Sequence, residues 1–486
     1  TKLLVGTFAD GASMIDMPTG QITSLESTIP SVPIRSFAST KDQSLLVGTD
    51  GSGIYQLSIP DGRLINRYLA DEDNLESLSG NTVSDLMVDE RDCIWVSTYT
   101  NGISYLDPET PEVHWVKHGN NNRNSLISSH INVILEDSDG DLWYGTTNGI
   151  SLYQWAVNKW THFLDDKKDQ SGQSSVVLAL CEDSRQHIWT GGYGIGVFRI
   201  NKQTGRVERM KTRKHSQDNG MATDYVYTIY AENESIYLGG IEGELTRYNT
   251  KTNTYNYYPF DCIGDIRQHT DSTLLMAGCG GLGIFNKFTG HTEWINSFGD
   301  LVLQNPVRTL LKSGNGDVWL ATDGNGLIQY NPSTRVSTTF TTDQGIESNS
   351  INNVMEDDMG RIWFNTEKDL YYLDAGKKKI ISMNEFLGIS WGHYNPMAFI
   401  KLKNGNLMLG TADGALSFSP YFNFDTEEPI QLLFTDFKLL YQSVQAGPTG
   451  SLLEQAINET SGIELEYAQN SFSLSFSAID FVFPNK

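Results

Sequence analysis

Nine histidines and 59 acidic residues are the first place to look for catalysis, and their spacing argues against it. No histidines form an HxH or HExxH pattern, the common signatures of a protein metal site. The carboxylates fall mainly in short repeated turns, where Asp and Asn accept turn hydrogen bonds. Asp137-Ser138-Asp139-Gly140-Asp141 opens like a calcium loop, but its sixth position is Leu142 and its twelfth is Asn148. Such a loop needs glycine and a bidentate glutamate there, so the segment reads as a hairpin turn. No catalytic residue, metal ligand or cofactor is assigned. Glycosidase chemistry needs only two carboxylates facing one bond, which keeps a polysaccharide lyase or glycoside hydrolase as the enzymatic alternative.

Binding chemistry is better represented. Sugars are held by aromatic faces together with planar polar groups, and Trp391-Gly392-His393-Tyr394-Asn395 offers both. Tyr99 with Asn101, Tyr193, and Asp323 with Asn325 are lesser candidates of the same kind. Packing is the competing reading for all of them. Arg206, Arg209, Lys211, Arg213, Lys214 and His215 form a dense basic cluster. Its second half, Arg213, Lys214 and His215, could hold an anionic glycan by charge-assisted hydrogen bonds; the competing reading is a solvated loop. Lys377-Lys378-Lys379 reads as a solvent-exposed turn. The formal net charge of −24 argues against nucleic acid, which needs a broad basic face. Cys93, Cys181, Cys262 and Cys279 show no CxxC spacing, and buried free thiols are expected.

These residues take their meaning from the elements that carry them. Asp141 to Tyr153, DLWYGTTNGISLY, combines a β-run, a small pair Gly145-Thr146, a glycine-containing turn and a second β-run. Copies end at Tyr55, Tyr105, Phe198, Tyr248, Phe285, Tyr330, Tyr372 and Phe418, and the chain opens inside another. The position of Trp143 recurs at intervals of 38 to 49 residues, at Leu4, Leu46, Trp95, Trp189, Tyr237, Leu275, Trp319, Trp363 and Met408. A sustained β-type period of about 40–50 residues predicts a β-propeller. Each full repeat should give four strands, as in Ile131–Leu135, Asp141–Thr146, Ile150–Tyr153 and Lys159–Phe163. Gly145 and its equivalents are expected where neighbouring backbones crowd, and the recurring tryptophans supply apolar faces between blades. The second-to-third-strand turns and the blade-to-blade connections share one face, the expected ligand face. The Asp/Asn-x-x-Gly turns lie on the other.

Residues 1–125 hold three repeats, the first without its inner strand. Residues 126–424 hold seven, enough for one closed ring, and a single ten-bladed ring is the alternative. The last repeat lacks an outer strand and must borrow one; Val113–Lys117 is the expected donor, because closure hides two sheet edges. From about Pro429 the pattern changes to longer alternating runs, including Ile463–Tyr467 and Ser471–Phe476. Residues 427–486 therefore read as the start of an immunoglobulin-like β-sandwich. No apolar run approaches the roughly 20 residues of a membrane helix, and no signal peptide is expected within the chain.

The IWxGTxxGLxxY core preceded by NSLxxxxVxxIxEDxxG resembles the two-component regulator propeller repeat, most closely over Asn124–Tyr153 and Ser348–Tyr372. Asn395-Pro-Met-Ala-Phe399, Asn404-Gly405, Gly410 and Ser419-Pro420 look like the final blade of the second propeller in hybrid two-component sensors. Phe434–Lys438 and Phe472–Asp480 look like the opening of the Tyr-rich sandwich that follows it. The resemblance implies the last three blades of one propeller, a seven-bladed second propeller and part of the sandwich. It also implies a periplasmic, non-catalytic sensor region of an inner-membrane histidine kinase. Such a sensor would be a homodimer, tethered through a downstream helix, that binds oligosaccharides and induces glycan-utilisation genes. A propeller scaffold for protein partners is a third reading.

Overall fold

The computed structural model describes residues 2–59, 61–71, 77–107, 113–119, 122–165, 175–213, 218–241, 244–374, 379–384, 386–389, 393–421 and 431–479. The described residues are almost entirely β, in two compact units, Thr1–Pro420 and Tyr421–Lys486.

In the first unit, β-branched and aromatic residues at period two build seven four-stranded antiparallel sheets from residue 131 onward. Their first strands are Ile131–Glu136, Val177–Glu182, Thr228–Glu232, Ile263–Gln268, Val307–Lys312, Asn353–Glu356 and Tyr394–Lys401. Each of these strands packs against the next, and the last returns to the first, which closes a ring of seven blades numbered here one to seven. Blade one follows the expected four strands, with a short 3-10 turn, Trp155–Val157, before the outer strand. Blade seven takes its outer strand from upstream: Val113–Val116 pairs antiparallel with Gly414–Phe418, Val113 opposite Phe418. The strand expected to close the ring does so.

Upstream stand three more sheets. Lys2–Gly6, Ala12–Asp16 and Ile22–Ser24 form one with no inner strand, Ile34–Ser39 to Leu64–Tyr68 a full four, and Val83–Val88 to Gly102–Leu106 a sheet of three.

A Glu-Asp pair ends the first strand in blades one, two and six. The Asp serves its own blade: Asp137, Asp183 and Asp357 accept from the indole N–H of Trp143, Trp189 and Trp363 at 2.8, 2.8 and 2.9 Å. The Glu serves its neighbour: Glu182 accepts from the Ser138 backbone N–H at 2.6 Å and Glu356 from that of Gly314 at 2.9 Å. Gly145 sits where an added Cβ would lie 2.5 Å from Val133 Cγ1 and 2.7 Å from Val177 Cγ1. The crowding comes from side chains of its own blade and the next one.

Blade five departs from this pattern. Ser313 occupies the Asp position, and the buried Trp319 indole N–H has no hydrogen-bond partner. Trp189→Phe takes the indole donor from the buried Asp183 Oδ2, at a cost of about 1–3 kcal/mol beyond lost packing. Trp319→Phe removes a donor that is already orphaned. The Trp189 variant should therefore lose at least about 1 kcal/mol more in denaturant titration, and an equal or larger loss at position 319 would refute this account.

The second unit contains a three-stranded sheet in which Gln431–Leu439 pairs with both Gln442–Ser443 and Phe472–Ile479. Phe437 and Leu453 are its buried apolar residues. The alternating Ile463–Tyr467 segment is not a strand, and Tyr467 is 99% exposed.

Cys262 and Cys279 correct the expectation of free thiols, since they form a disulfide; Cys93 and Cys181 are free. Strand register is the reason. Ile263 pairs with Gly278 in blade four, so one further step along the antiparallel ladder sets the two cysteines opposite each other, with Cα atoms 5.5 Å apart. Closing a loop of this length stabilises by about 3 kcal/mol.

Candidate functional site

A recurrent bulge shapes the face of the ring where the first strands begin. Ladder register shifts between Ile131 and Val133, Val177 and Ala179, Ile263 and Asp265, and Val307 and Thr309. The extra residues are Asn132, Leu178, Gly264 and Arg308. Each is flanked by residues fixed in the ladder, and a bulge re-aims the side chain it frees. The bulge position can therefore vary without disturbing the core, and in blade five it carries a guanidinium.

Arg308 is one wall of a depression of about 600 Å³ shared by blades five, six, seven and one. Its Nη2 lies 2.9 Å from Asp323 Oδ1, and its Nη1 donates to Asn352 Oδ1. The Ser350 hydroxyl donates to the same Asp323 oxygen at 2.7 Å. Burial pushes the Asp323 carboxyl up, but Ser350 and Arg308 outweigh it and hold it below its ordinary value. Across blade six, Lys368 Nζ lies 3.6 Å from Glu347. His130 and His393 complete the wall on the side of blades one and seven.

Beneath this rim, side-chain amides stitch the blades together. Asn352 Nδ2 donates to the Tyr394 carbonyl (2.8 Å), Asn353 Nδ2 to the Asn395 carbonyl (3.0 Å), and Asn395 Nδ2 to the Ile131 carbonyl (2.6 Å). The floor is thus rigid, and the groups free to meet a ligand are the planar ions and imidazoles above it.

The structure sorts the residues singled out from sequence. His393 is exposed in the depression, and Asp323 joins it through Arg308. Tyr394 borders the depression, but its side chain is 1% exposed and its hydroxyl donates to Asn384 at 2.6 Å; burial pushes the phenol well up. It supports the wall and offers no face for stacking, which corrects its assignment. Asn395 also lines the depression, though its amide N–H is committed to the ring seam. Asn325 lies on the turn beyond Asp323, half-buried, with a buried Oδ1 that has no partner.

Arg213 is not a free cation. It pairs with Glu244 and lies over the Tyr257 ring at 3.9 Å, which corrects its assignment to an anion site. Lys214, His215 and Trp391 lie outside the described residues, as do Lys377 and Lys378. Tyr193, 52% exposed, stands edge-on to Tyr225 on the side of blades two and three. Tyr99 and Asn101 belong to the upstream sheets, where Asn101 Nδ2 donates to the Ser79 carbonyl at 2.7 Å. His114 and His118 stand four apart, but on and just after a strand, where that spacing extends about 13 Å; His118 Nδ1 is 2.5 Å from the Leu126 carbonyl.

Arg308, Glu347, Lys368, Asn352 and His130 were not singled out from sequence. The signal for Arg308 was the variable residue between two ladder positions in each first strand. Among the described residues no cluster of three or more His, Cys, Asp or Glu could hold a metal, and no helix is long and apolar enough to cross a membrane.

With this geometry in place, known proteins give a consistent picture. Residues 77–100 and 125–148 match the two-component regulator propeller family. A histidine kinase, P4, of Formosa agariphila is 23% identical over 409 residues, covering 83% of this chain and 27% of that protein. The extracellular domain of a hybrid two-component system from B. thetaiotaomicron superposes with a TM-score of 0.75 at 23% identity, over 99% of this chain and 63% of that one. A second such domain from the same organism gives 0.52 at 18% identity, over 98% and 64%. Virginiamycin B lyase from Staphylococcus aureus matches at 0.50 and 14% identity, over 63% of this chain and 99% of that one. At these identities the solved structures establish the fold, and the chain spans about a quarter of the curated relative. Two of the chain's repeats are thus similar to the two-component regulator propeller family.

Proposed function

We propose that this chain is the extracytoplasmic sensor region of a hybrid histidine kinase, and that it binds an oligosaccharide released from a complex glycan. The observation that carries the reading is the depression over blades five, six, seven and one, lined by a fixed guanidinium, carboxylates and imidazoles above an amide-locked floor. Planar ions of both signs match the paired hydroxyls of a sugar. Occupancy would bias the packing of the protein between two states, which requires only that the ligand prefer one of them. The signalling form would be a homodimer attached through a downstream membrane helix, and its output the induction of glycan-utilisation genes. The Cys262–Cys279 disulfide suits an oxidising compartment such as the periplasm.

A thermal-shift screen against neutral and anionic oligosaccharides tests the reading, since a ligand specific for the folded state raises Tm. A saturable shift without product formation supports a sensor. Turnover of the glycan would point to a propeller lyase or hydrolase, and no shift with any glycan would sink the sugar-binding reading.

A further inference from the structure

The Arg308–Asp323 arrangement occurs twice. In the upstream sheets Arg35 and Asp50 stand at the same fifteen-residue separation, within Pro33-Ile-Arg35 and Thr49-Asp-Gly-Ser-Gly53 against Pro306-Val-Arg308 and Thr322-Asp-Gly-Asn-Gly326. Arg35 is the freed residue of a bulge between Ile34 and Ser36, as Arg308 is between Val307 and Thr309. Arg35 Nη2 lies 2.5 Å from Asp50 Oδ2.

The supporting hydrogen bonds repeat as well. Asp50 N–H donates to the Pro33 carbonyl and Asp323 N–H to that of Pro306, at 2.9 and 3.0 Å. The Asn81 carbonyl accepts from Gly51 and Gly53, and the Asn349 carbonyl from Gly324 and Gly326. These glycines all have positive φ, between 75° and 99°, which L side chains rarely adopt. The next sheet makes an isolated backbone β-bridge to the Asp in both, Thr82 to Asp50 and Ser350 to Asp323. A shared repeat fold alone does not require a guanidinium at the bulge; four other first-strand bulges carry Asn132, Leu178, Gly264 and Ser84.

The surroundings differ in a way that defines the ligand. Phe8, 73% exposed, lies with its ring centroid 5.7 Å from the Arg35 guanidinium carbon. Tyr99 is 70% exposed on the turn of the following sheet, and its backbone N–H donates at 2.9 Å to the carbonyl of Thr82, the residue that bridges to Asp50. One exposed ring thus lies beside the ion pair, and a second is carried by the turn bonded to Thr82. The electron-rich aromatic faces suit the C–H faces of a pyranose or furanose, and the Arg–Asp pair suits its hydroxyls. Asp50 already compensates the Arg35 charge, which disfavours an anion.

We infer that Phe8, Arg35, Asp50 and Tyr99 form a second saccharide site, selective for neutral sugars, so that the chain is a two-site receptor. This rests on the sugar-sensor reading above. The test is isothermal titration of the full chain with cello-, xylo-, laminari- and arabino-oligosaccharides. Wild type should bind two equivalents of at least one of them. Phe8→Ala/Tyr99→Ala, with both rings exposed, should keep its unliganded Tm and lose one equivalent. Arg35→Lys, which keeps the charge but loses the bidentate fork, should weaken that equivalent tenfold or more. A wild type that binds one equivalent, retained in the double variant and lost in Arg308→Ala, overturns the second site and leaves the sensor reading intact. A single equivalent lost in the double variant supports the second site and removes the one over blades five to one. Failure of every saccharide to bind overturns both readings.

Discussion

Asp137→Ala is expected to destabilise the ring by about 3–5 kcal/mol, the range for breaking a buried charge pair by removing one partner. The Asp137 side chain is fully buried beside Lys202, whose Nζ contacts Asp137, Asp139 and Glu182 at 2.9, 2.8 and 2.8 Å. One carboxylate oxygen accepts from the backbone N–H groups of Asp139 and Asp141, and the other from Trp143. Alanine removes all of these acceptors and leaves an indole N–H and part of an ammonium charge uncompensated. The damage reaches blade two, because Lys202 also holds Glu182, and Glu182 holds the Ser138 turn of blade one. Denaturant titration checks the magnitude, and a loss below about 1 kcal/mol would place the strength of the junction elsewhere.

The same group predicts an acid limb. Burial pushes the Asp137 carboxyl up, but the Trp143 N–H and Lys202 outweigh it and hold its pKa below 3.8. Asp89, bonded to Trp95, is lowered in the same way. A depressed carboxylate contributes stability that is complete above its unfolded value and is lost as the pH falls through the folded one. Wild type should therefore lose stability below about pH 4, and Asp137→Ala should lose less over that range because it lacks one of the responsible groups.

Much of this organisation was legible in the residues because a repeat prints the same physical problem many times. The Trp143 position, the Gly145 crowding and the Val113–Val116 closure all follow from period, size and the need to hide sheet edges. The site was less legible, and for specific reasons. Aromatic content drew attention to Tyr394, yet whether an aromatic ring faces ligand or core depends on strand register, and register buries Tyr394. Charge density drew attention to Arg213, yet Glu244 and Tyr257, far along the chain, consume its charge. Arg308 is a lone charge in an apolar strand, and only the bulge carries it to the wall of the depression. The Cys262–Cys279 pairing was hidden for the same reason, since it depends on register and leaves no local motif.

Trp115→Pro/Val116→Pro is expected to open the ring, with a loss of about 3 kcal/mol or more and the appearance of dimers or larger species. Val113–Val116 is the outer strand of blade seven, bonded on one side to Gly414–Phe418. In an antiparallel ladder alternate residues direct their N–H groups to a given neighbour, so two consecutive prolines must remove at least one bond to that strand. Proline also fixes φ near −65°, far from the extended value the strand needs. Val116 packs against the core between blades seven and one that contains Leu126, Ile131 and Met408, so the ladder and the apolar seam would separate together. The other six blades complete themselves from consecutive strands; blade seven alone depends on a segment about 300 residues upstream of its partner. That gives the seam a large closure entropy to overcome and leaves no nearby strand to substitute. The bared edge of Gly414–Phe418, a fully buried strand, would be free to pair with a second molecule. Light scattering and denaturant titration read the two consequences separately: a monomer with an unchanged midpoint would show that the ring holds without its borrowed strand, whereas association with a lowered midpoint would identify the seam as the joint on which closure of the propeller depends.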